Sequence, residues 1–302
     1  MTDQNSQTDR RSNSTPAPLA VEGHFHGPSS TICYIVHDPV SMRGAIVDAV
    51  LDFDQASGRT STAFVDKVAD RVEELGVSVD WVLETHVHAD HLSGAQHMRA
   101  RLGGEIGIGA HIGDVQTSFA KIYNLGPGFE TDGSQFDRLW RDGDRFEIGG
   151  VEGEVIHTPG HTPACVCYRI GDAVFTGDTI FMPDFGTARC DFPGGDARDL
   201  YRSIQRILAL PPETRIFVGH DYAPGGREHA WETTVAEERK ANKHVKDGID
   251  EDTFVEMRRT RDAELSMPGL LLPSIQVNIR AGNMPEPEDN GVAYLKVPVD
   301  QF

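Results

Sequence analysis

Cysteine is scarce in this sequence: four residues, Cys33, Cys165, Cys167 and Cys190, are scattered over 302 positions. So few thiols in a chain this long rule out a disulfide framework and fit a reducing compartment. Long apolar runs are missing too, since none approaches the roughly 20 residues of a membrane span. Residues 1–20 hold no apolar core of the signal-peptide kind, so the expected location is the cytoplasm. Positive charge is in short supply: 28 Lys+Arg against 47 Asp+Glu leave a net charge of −19. Such a surface repels nucleic acid and anionic membranes, which removes both as expected partners, and an anionic substrate then needs a local basic patch. With 38% hydrophobic residues the chain can bury a sizeable core, in one large domain or in one domain plus an appendage. No internal repeat of short period is present.

What the sequence does have is a concentration of metal-binding side chains. The stretch Glu84-Thr85-His86-Val87-His88-Ala89-Asp90-His91 packs three imidazoles and a carboxylate into the six residues 86–91, straight after Trp81-Val82-Leu83, which reads as a buried strand. In an extended His-x-His both rings project the same way, because side chains repeat every second residue. Imidazole and carboxylate together are the ligand set of zinc, iron and manganese.

The first twenty residues, rich in Ser, Thr, Asn, Gln and Pro, are expected to be a disordered tail, with folding starting near Val21. Thr31–Val36 and Gly44–Val47 read as strands. Phe64, Val65, Val68, Val72 and Leu75 recur at helical spacing and Gly76 closes that helix. A helix is expected over 93–102, a strand over 105–108, and a long loop over 120–145, where no period is visible. Strands then dominate: Arg145–Ile148, Gly153–His157, Ala164–Ile170 and Ala173–Thr176. A helix over 197–209 precedes the strand Arg215–Val218. Residues 228–263 read as largely helical, with Lys240, Lys243, Lys246 and Arg258 on a solvated face. Cys165 and Cys167 fit buried small hydrophobes; Cys190, in the polar loop Thr187–Phe192, is open to a reactive role. Three more strand ends carry chemistry-capable groups: Thr158-Pro159-Gly160-His161-Thr162, Gly177-Asp178-Thr179 and Gly219-His220-Asp221-Tyr222. Layered α/β domains build their sites at strand ends in this way.

Thr-His-x-His-x-Asp-His at 85–91, Thr-Pro-Gly-His-Thr at 158–162, Gly-Asp-Thr at 177–179 and Gly-His-Asp-Tyr at 219–222 resemble the four metal motifs of the metallo-β-lactamase fold. The order and spacing match across residues 23–225. The resemblance implies an α/β fold of the αββα sandwich type, two mixed sheets with helices on the outer faces. It implies a division into the tail 1–20, a metal-binding domain 21–225, and a helical and extended C-terminal region 226–302 packed on it. Phe175–Thr179, Arg189-Cys190-Asp191-Phe192 and His220-Asp221-Tyr222 further resemble persulfide dioxygenases, and most of all their bacterial β-lactamase hydrolase-like relatives, whose tail is similar to Leu272–Gln276 and Pro287–Gly291. Mitochondrial members carry Thr where Cys190 stands and lack this tail.

That family uses one Fe(II) and O2 to oxidise glutathione persulfide to sulfite and glutathione. Carried over, the resemblance puts the catalytic metal on His86, His161 and Asp178, leaving open positions for O2 and a sulfur ligand. His88, Asp90, His91 and His220 then orient ligands and water, and Arg189 takes a glutathione carboxylate through its planar fork. The same residues also suit a dinuclear zinc hydrolase of thioesters or lactones, similar to glyoxalase II. In that alternative His86, His88 and His161 hold one Zn(II), Asp90, His91 and His220 a second, and Asp178 bridges them. The sequence leaves the oligomeric state open, a homo-oligomer included.

Overall fold

The computed structural model describes residues 18–301. The expected tail therefore lies, up to residue 17, outside the described residues, and the first strand begins at Ala20. In chain order the elements of the first half are β1 (Ala20–His26), β2 (Thr31–His37), β3 (Arg43–Val47), β4 (Val50–Asp54), β5 (Arg59–Ser61), α1 (Ala63–Leu75), β6 (Ser78–Leu83), β7 (Leu92–Ser93), α2 (Ala95–Leu102), β8 (Glu105–Gly109) and α3 (Ile112–Ile122). There follow β9 (Arg138–Trp140), β10 (Arg145–Ile148), β11 (Val151–His157), β12 (Val166–Ile170), β13 (Ala173–Phe175), α4 (Ala197–Leu208), β14 (Arg215–Phe217), β15 (Glu232–Thr234), α5 (Val235–Ala241), α6 (Glu251–Asp262) and α7 (Leu271–Asn278).

Two mixed sheets form, in the orders β1-β2-β3-β6-β8-β9 and β10-β11-β12-β13-β14-β15. Their facing surfaces bury Ile32, Tyr34, Val36 and Leu83 from one sheet against Phe146, Val155, Tyr168 and Phe175 from the other. On β2 the intervening Cys33 and Ile35 point the opposite way and pack with Val65, Val68 and Val72 of α1 and Met98 of α2. Every position of β2 up to Val36 is thus buried, which is why the strand reads as one continuous apolar run. The outer face of the second sheet, Ile156, Val174 and Ile216, is covered by Leu200, Ile204 and Ile207 of α4 and by Phe254 of α6. The result is the expected αββα sandwich, a mixed α/β fold.

Local signals place the helices. Gly76 takes φ +70° and its N–H caps the Glu73 carbonyl of α1. The Asp196 carboxylate accepts from the N–H groups of Arg198 and Asp199, fixing the start of α4.

Two expectations need correction. The stretch 120–145 is not one long loop: α3 runs to Ile122, burying Ile112, Val115 and Phe119, and β9 joins the sheet edge parallel to β8. A three-residue strand is too short to carry a period, and Trp140 fixes it by packing edge-on to Trp81, 5.1 Å between centroids. The stretch 228–263 is only partly helical, with β15 ahead of α5 and an irregular 242–250 between α5 and α6. Arg258, expected on a solvated face, is 1% exposed and ion-paired with Asp262 at 2.7 Å.

Candidate metal centre

The four motifs meet at one rim of the sandwich because each follows a strand: β6 delivers 84–91, β11 delivers His161, β13 delivers Asp178 and β14 delivers His220. Glycine makes two of these turns possible. Gly160 has φ +140° and a Cβ there would lie 2.3 Å from the Leu200 backbone; Gly177 has φ +46° and a Cβ would strike the Thr85 side chain at 2.3 Å.

Each imidazole is anchored through one nitrogen, which leaves the other facing the centre. The Nδ1–H of His161 donates to the Arg189 carbonyl at 2.8 Å, that of His91 to the Leu92 carbonyl at 3.0 Å, and that of His220 to the Ser30 carbonyl at 3.2 Å. The Thr85 hydroxyl donates to Asp48 at 2.9 Å, so its oxygen accepts from His86 Nδ1 at 3.0 Å. His88 is reversed: its Nε2 faces Asp48 Oδ1 at 3.0 Å and Glu84 Oε2 at 3.3 Å. Outer hydrogen bonds of this kind fix tautomer and ring orientation before a metal arrives. Among the described residues, His88 Nδ1 and His91 Nε2 are buried with no protein partner. A bound cation gives such orphaned lone pairs the partner they lack, so the donors present fit a metal.

The potential ligand atoms fall into sets. Those of His86, His161 and Asp178 lie within 4.8 Å of one another, and those of His88, Asp90 and His91 form a second such set. His220 Nε2 stands 3.2 Å from Asp178 and 3.7 Å from Asp90, joining the two. All seven expected residues are therefore brought together. Burial, with the neighbouring imidazoles, drives His86 far below the ordinary histidine value and His91 down to about 3, so both offer lone pairs. Burial opposes ionisation of Asp90, yet His220, His91 and His88 outweigh it and hold this carboxyl below the usual range. Burial also disfavours charge on His88, but Asp48 and Glu84 outweigh it and raise that imidazole well above its usual value, so a cation that binds at its Nδ1 displaces a proton there.

A cleft of about 460 Å³ opens over the centre, walled by Phe181, Phe185, Phe192 and Tyr222. Three guanidinium groups reach it. Arg189, expected to hold a substrate carboxylate, spends its fork on Asp191 at 2.5 and 2.6 Å and its remaining arm on the Ser266 carbonyl at 2.7 Å. Arg258 is committed to Asp262 and to the Thr187 carbonyl. Arg261 is exposed at the cleft and, among the described residues, pairs with no carboxylate. Cys190 is 7% exposed and burial pushes its thiol far up, which contradicts a reactive role. Cys165 and Cys167 are buried, as expected of small hydrophobes.

Asp48, Glu84 and Asn278 escape a reading based on motifs. Asn278, at the end of α7, donates to the carbonyls of His88 and His91 at 2.8 Å each and accepts from Ser93 N–H at 2.7 Å. A contact 187 residues apart leaves no local signal.

The metallo-beta-lactamase superfamily model matches residues 26–220, and the chain belongs to that superfamily. Within it, the chain is 54% identical to a probable metallo-hydrolase of Burkholderia pseudomallei, over 93% of this chain and 99% of that one. Glyoxylase B2 of Dictyostelium discoideum is 51% identical over 90% of this chain and 94% of its own length. The human mitochondrial persulfide dioxygenase ETHE1 is 30% identical over 88% of this chain and 90% of its own. The crystal structure of ETHE1 from Myxococcus xanthus matches with a TM-score of 0.69 and 29% identity, covering 87% of this chain and 100% of that one. Among the described residues no helix is long and apolar enough to cross a membrane.

Proposed function

We propose that the protein is a persulfide dioxygenase that uses one Fe(II) and O2 to oxidise a glutathione-derived persulfide to sulfite and thiol. The observation that carries the reading is the donor grouping. His86, His161 and Asp178 converge as a three-ligand set, while His88 groups with Asp90 and His91 instead of joining His86 and His161. Two imidazoles and one carboxylate on one face are the ligand pattern of iron oxygenases with open positions. Iron there supplies the redox chemistry that zinc lacks. The likeness to the human persulfide dioxygenase supports the same reaction class.

The protein's own groups do the rest. The aromatic walls exclude water around the sulfur, Arg261 meets a substrate carboxylate, and Arg189 with Asp191 braces the loop behind His161. A metal-binding domain over 21–225 with the region 226–302 packed on it belongs to the same proposal, supported by the grip of Asn278 on the 88–91 loop. Function in the cytoplasm completes the proposal.

A dinuclear zinc hydrolase of thioesters or lactones is the second reading. The unpartnered His88 Nδ1 and His91 Nε2 favour it, as does the identity with glyoxylase B2. Metal content of single variants separates the two. His86→Ala, His161→Ala and Asp178→Ala each abolish metal binding in the mononuclear enzyme, while His220→Ala retains most of it. Equal loss in all four contradicts the mononuclear assignment.

A further inference from the structure

A second cavity, of about 430 Å³, adjoins the substrate cleft: Pro28, Ser29, Asp90 and Leu270 line both, so the two meet over Asp90. One wall of it is the hairpin of β4 and β5. Side chains alternate along a strand, and the register sets Asp52 opposite Ser61 and Asp54 opposite Arg59, so these four share one face of the hairpin. That face is turned to the cavity, where Asp52 Oδ1 meets His26 Nε2 at 3.0 Å. Asp52 is fixed further by the Phe64 N–H, which donates to its other oxygen at 3.0 Å.

The charges on this face do not cancel one another. Arg59 is the cross-strand neighbour of Asp54, yet Asp54 turns to the hairpin loop, its Oδ1 accepting from the N–H groups of Ala56 at 2.9 Å and Ser57 at 3.3 Å. Arg59 is exposed at the cavity and, among the described residues, pairs with no carboxylate. An ionised carboxylate has about four acceptor sites, so Asp52 and Asp54 both keep capacity for a further donor. An anion alone would face Asp52, Asp54 and Asp90 here, and a cation alone would face Arg59. A group that carries both charges on neighbouring atoms satisfies all of them, and the ammonium and carboxylate of an α-amino acid form such a group.

We propose that the second cavity is a subsite for an α-amino-acid zwitterion at the far end of the substrate's thiol carrier, its carboxylate on Arg59 and its ammonium on Asp52 and Asp54. The proposal rests on the functional reading for the place of the substrate sulfur at the metal centre. The γ-glutamyl end of glutathione carries such a head, about seven bonds from the sulfur and roughly 8–9 Å away when extended. Asp90, at the centre, and Asp52 are bridged by only Thr31, Ser29 and His26, through contacts of 3.0, 2.7, 2.7 and 3.0 Å. A sulfur at the centre therefore leaves the glutamyl head within range of the hairpin, while Arg261 in the first cleft meets the glycine carboxylate. Glutathione persulfide and S-lactoylglutathione carry the same head, so the subsite serves either reaction. It selects γ-glutamyl carriers over thiols that end at the cysteine nitrogen.

The test uses the full chain with its metal and thioether ligands that do not react, titrated calorimetrically. S-Methylglutathione is compared with two S-methyl analogues: 4-aminobutyryl-Cys-Gly, which lacks the α-carboxylate, and glutaryl-Cys-Gly, which lacks the ammonium. Wild type binds S-methylglutathione about fivefold more tightly than either analogue, as expected of exposed ion pairs. Arg59→Ala loses about fivefold for S-methylglutathione and nothing for the 4-aminobutyryl analogue. Asp54→Asn, whose amide oxygen can keep the loop bonds, weakens S-methylglutathione but not the glutaryl analogue. In turnover of glutathione persulfide, Arg59→Ala raises KM by the same factor and leaves kcat unchanged. Equal affinity of wild type for the three ligands overturns the proposal, as does an equal loss for all three in Arg59→Ala or a failure of S-methylglutathione to bind. A protein that binds S-methylglutathione through Arg59 but takes up no O2 with the persulfide refutes the dioxygenase reading alone, because the thioethers report binding without reaction.

Discussion

Removing Arg261 probes how a strongly acidic protein captures an anionic substrate. Of the three guanidinium groups at the cleft, Arg189 and Arg258 already hold carboxylates, and Arg261 has its fork free. A charge-assisted hydrogen bond is worth about 1.5–3 kcal/mol net, which corresponds to roughly 10- to 150-fold in affinity. Arg261 is solvent-exposed, so screening places its contribution at the low end, about tenfold. The contact is remote from the sulfur and is made equally before and during reaction, so the loss falls on KM while kcat holds. Initial rates of Arg261→Ala are measured with glutathione persulfide and with the persulfide of a neutral thiol such as 2-mercaptoethanol. KM should rise about tenfold for the first and stay constant for the second. Arg189→Ala, by contrast, unties Asp191 and the Ser266 backbone and lowers thermal stability more than it changes KM. An unchanged KM for glutathione persulfide in Arg261→Ala, or an equal rise for both substrates, refutes the assignment of Arg261.

Glu238 is fully buried, its carboxylate accepting from Asn242 at 2.6 Å, and burial pushes its carboxyl up to about 8. The folded state then keeps a proton that the unfolded chain releases, so stability falls as pH rises from about 4.5 to about 8. Glu238→Gln should remove this loss and raise Tm at pH 8 but not at pH 4.5, by an amount equivalent to roughly 3–5 kcal/mol at most; parallel Tm–pH curves would contradict it. Asp48→Ala strips His88 of its main partner and leaves the Thr85 N–H unsatisfied, at a cost of about 3 kcal/mol. Denaturant unfolding of metal-free protein measures that cost, and a change below about 1 kcal/mol would mean that Glu84 and water replace Asp48.

The metal motifs were legible because their information is local. His86, His88, Asp90 and His91 share one turn of chain, and His161, Asp178 and His220 each follow an apolar strand of readable length. Position at a strand end was enough to bring them together once the sheets closed. The supports of the site are different in kind. Asn278 reaches the 88–91 loop from a helix nearly two hundred residues away, and Asp48 looks in the sequence like any acid ending a strand. The Arg189 fork fits a substrate carboxylate by residue type, but Asp191, two residues on, satisfies the same geometry and is always present. Residues 120–145 hid the end of α3 and the edge strand β9, since three residues of strand carry no period and pair only because a neighbouring edge is open. Arg258 looked solvated among acids, yet Asp262 one turn later neutralises it inside the protein.

Oxygen consumption tests the central claim most directly. Protein purified without added metal is analysed for iron and zinc, then given glutathione persulfide in an oxygen electrode and S-lactoylglutathione in a thioester assay, all on one preparation. The dioxygenase account predicts about one iron per chain, O2 uptake matched by sulfite, and slow thioester hydrolysis. Two zinc ions per chain with rapid thioester hydrolysis and no O2 uptake would contradict it.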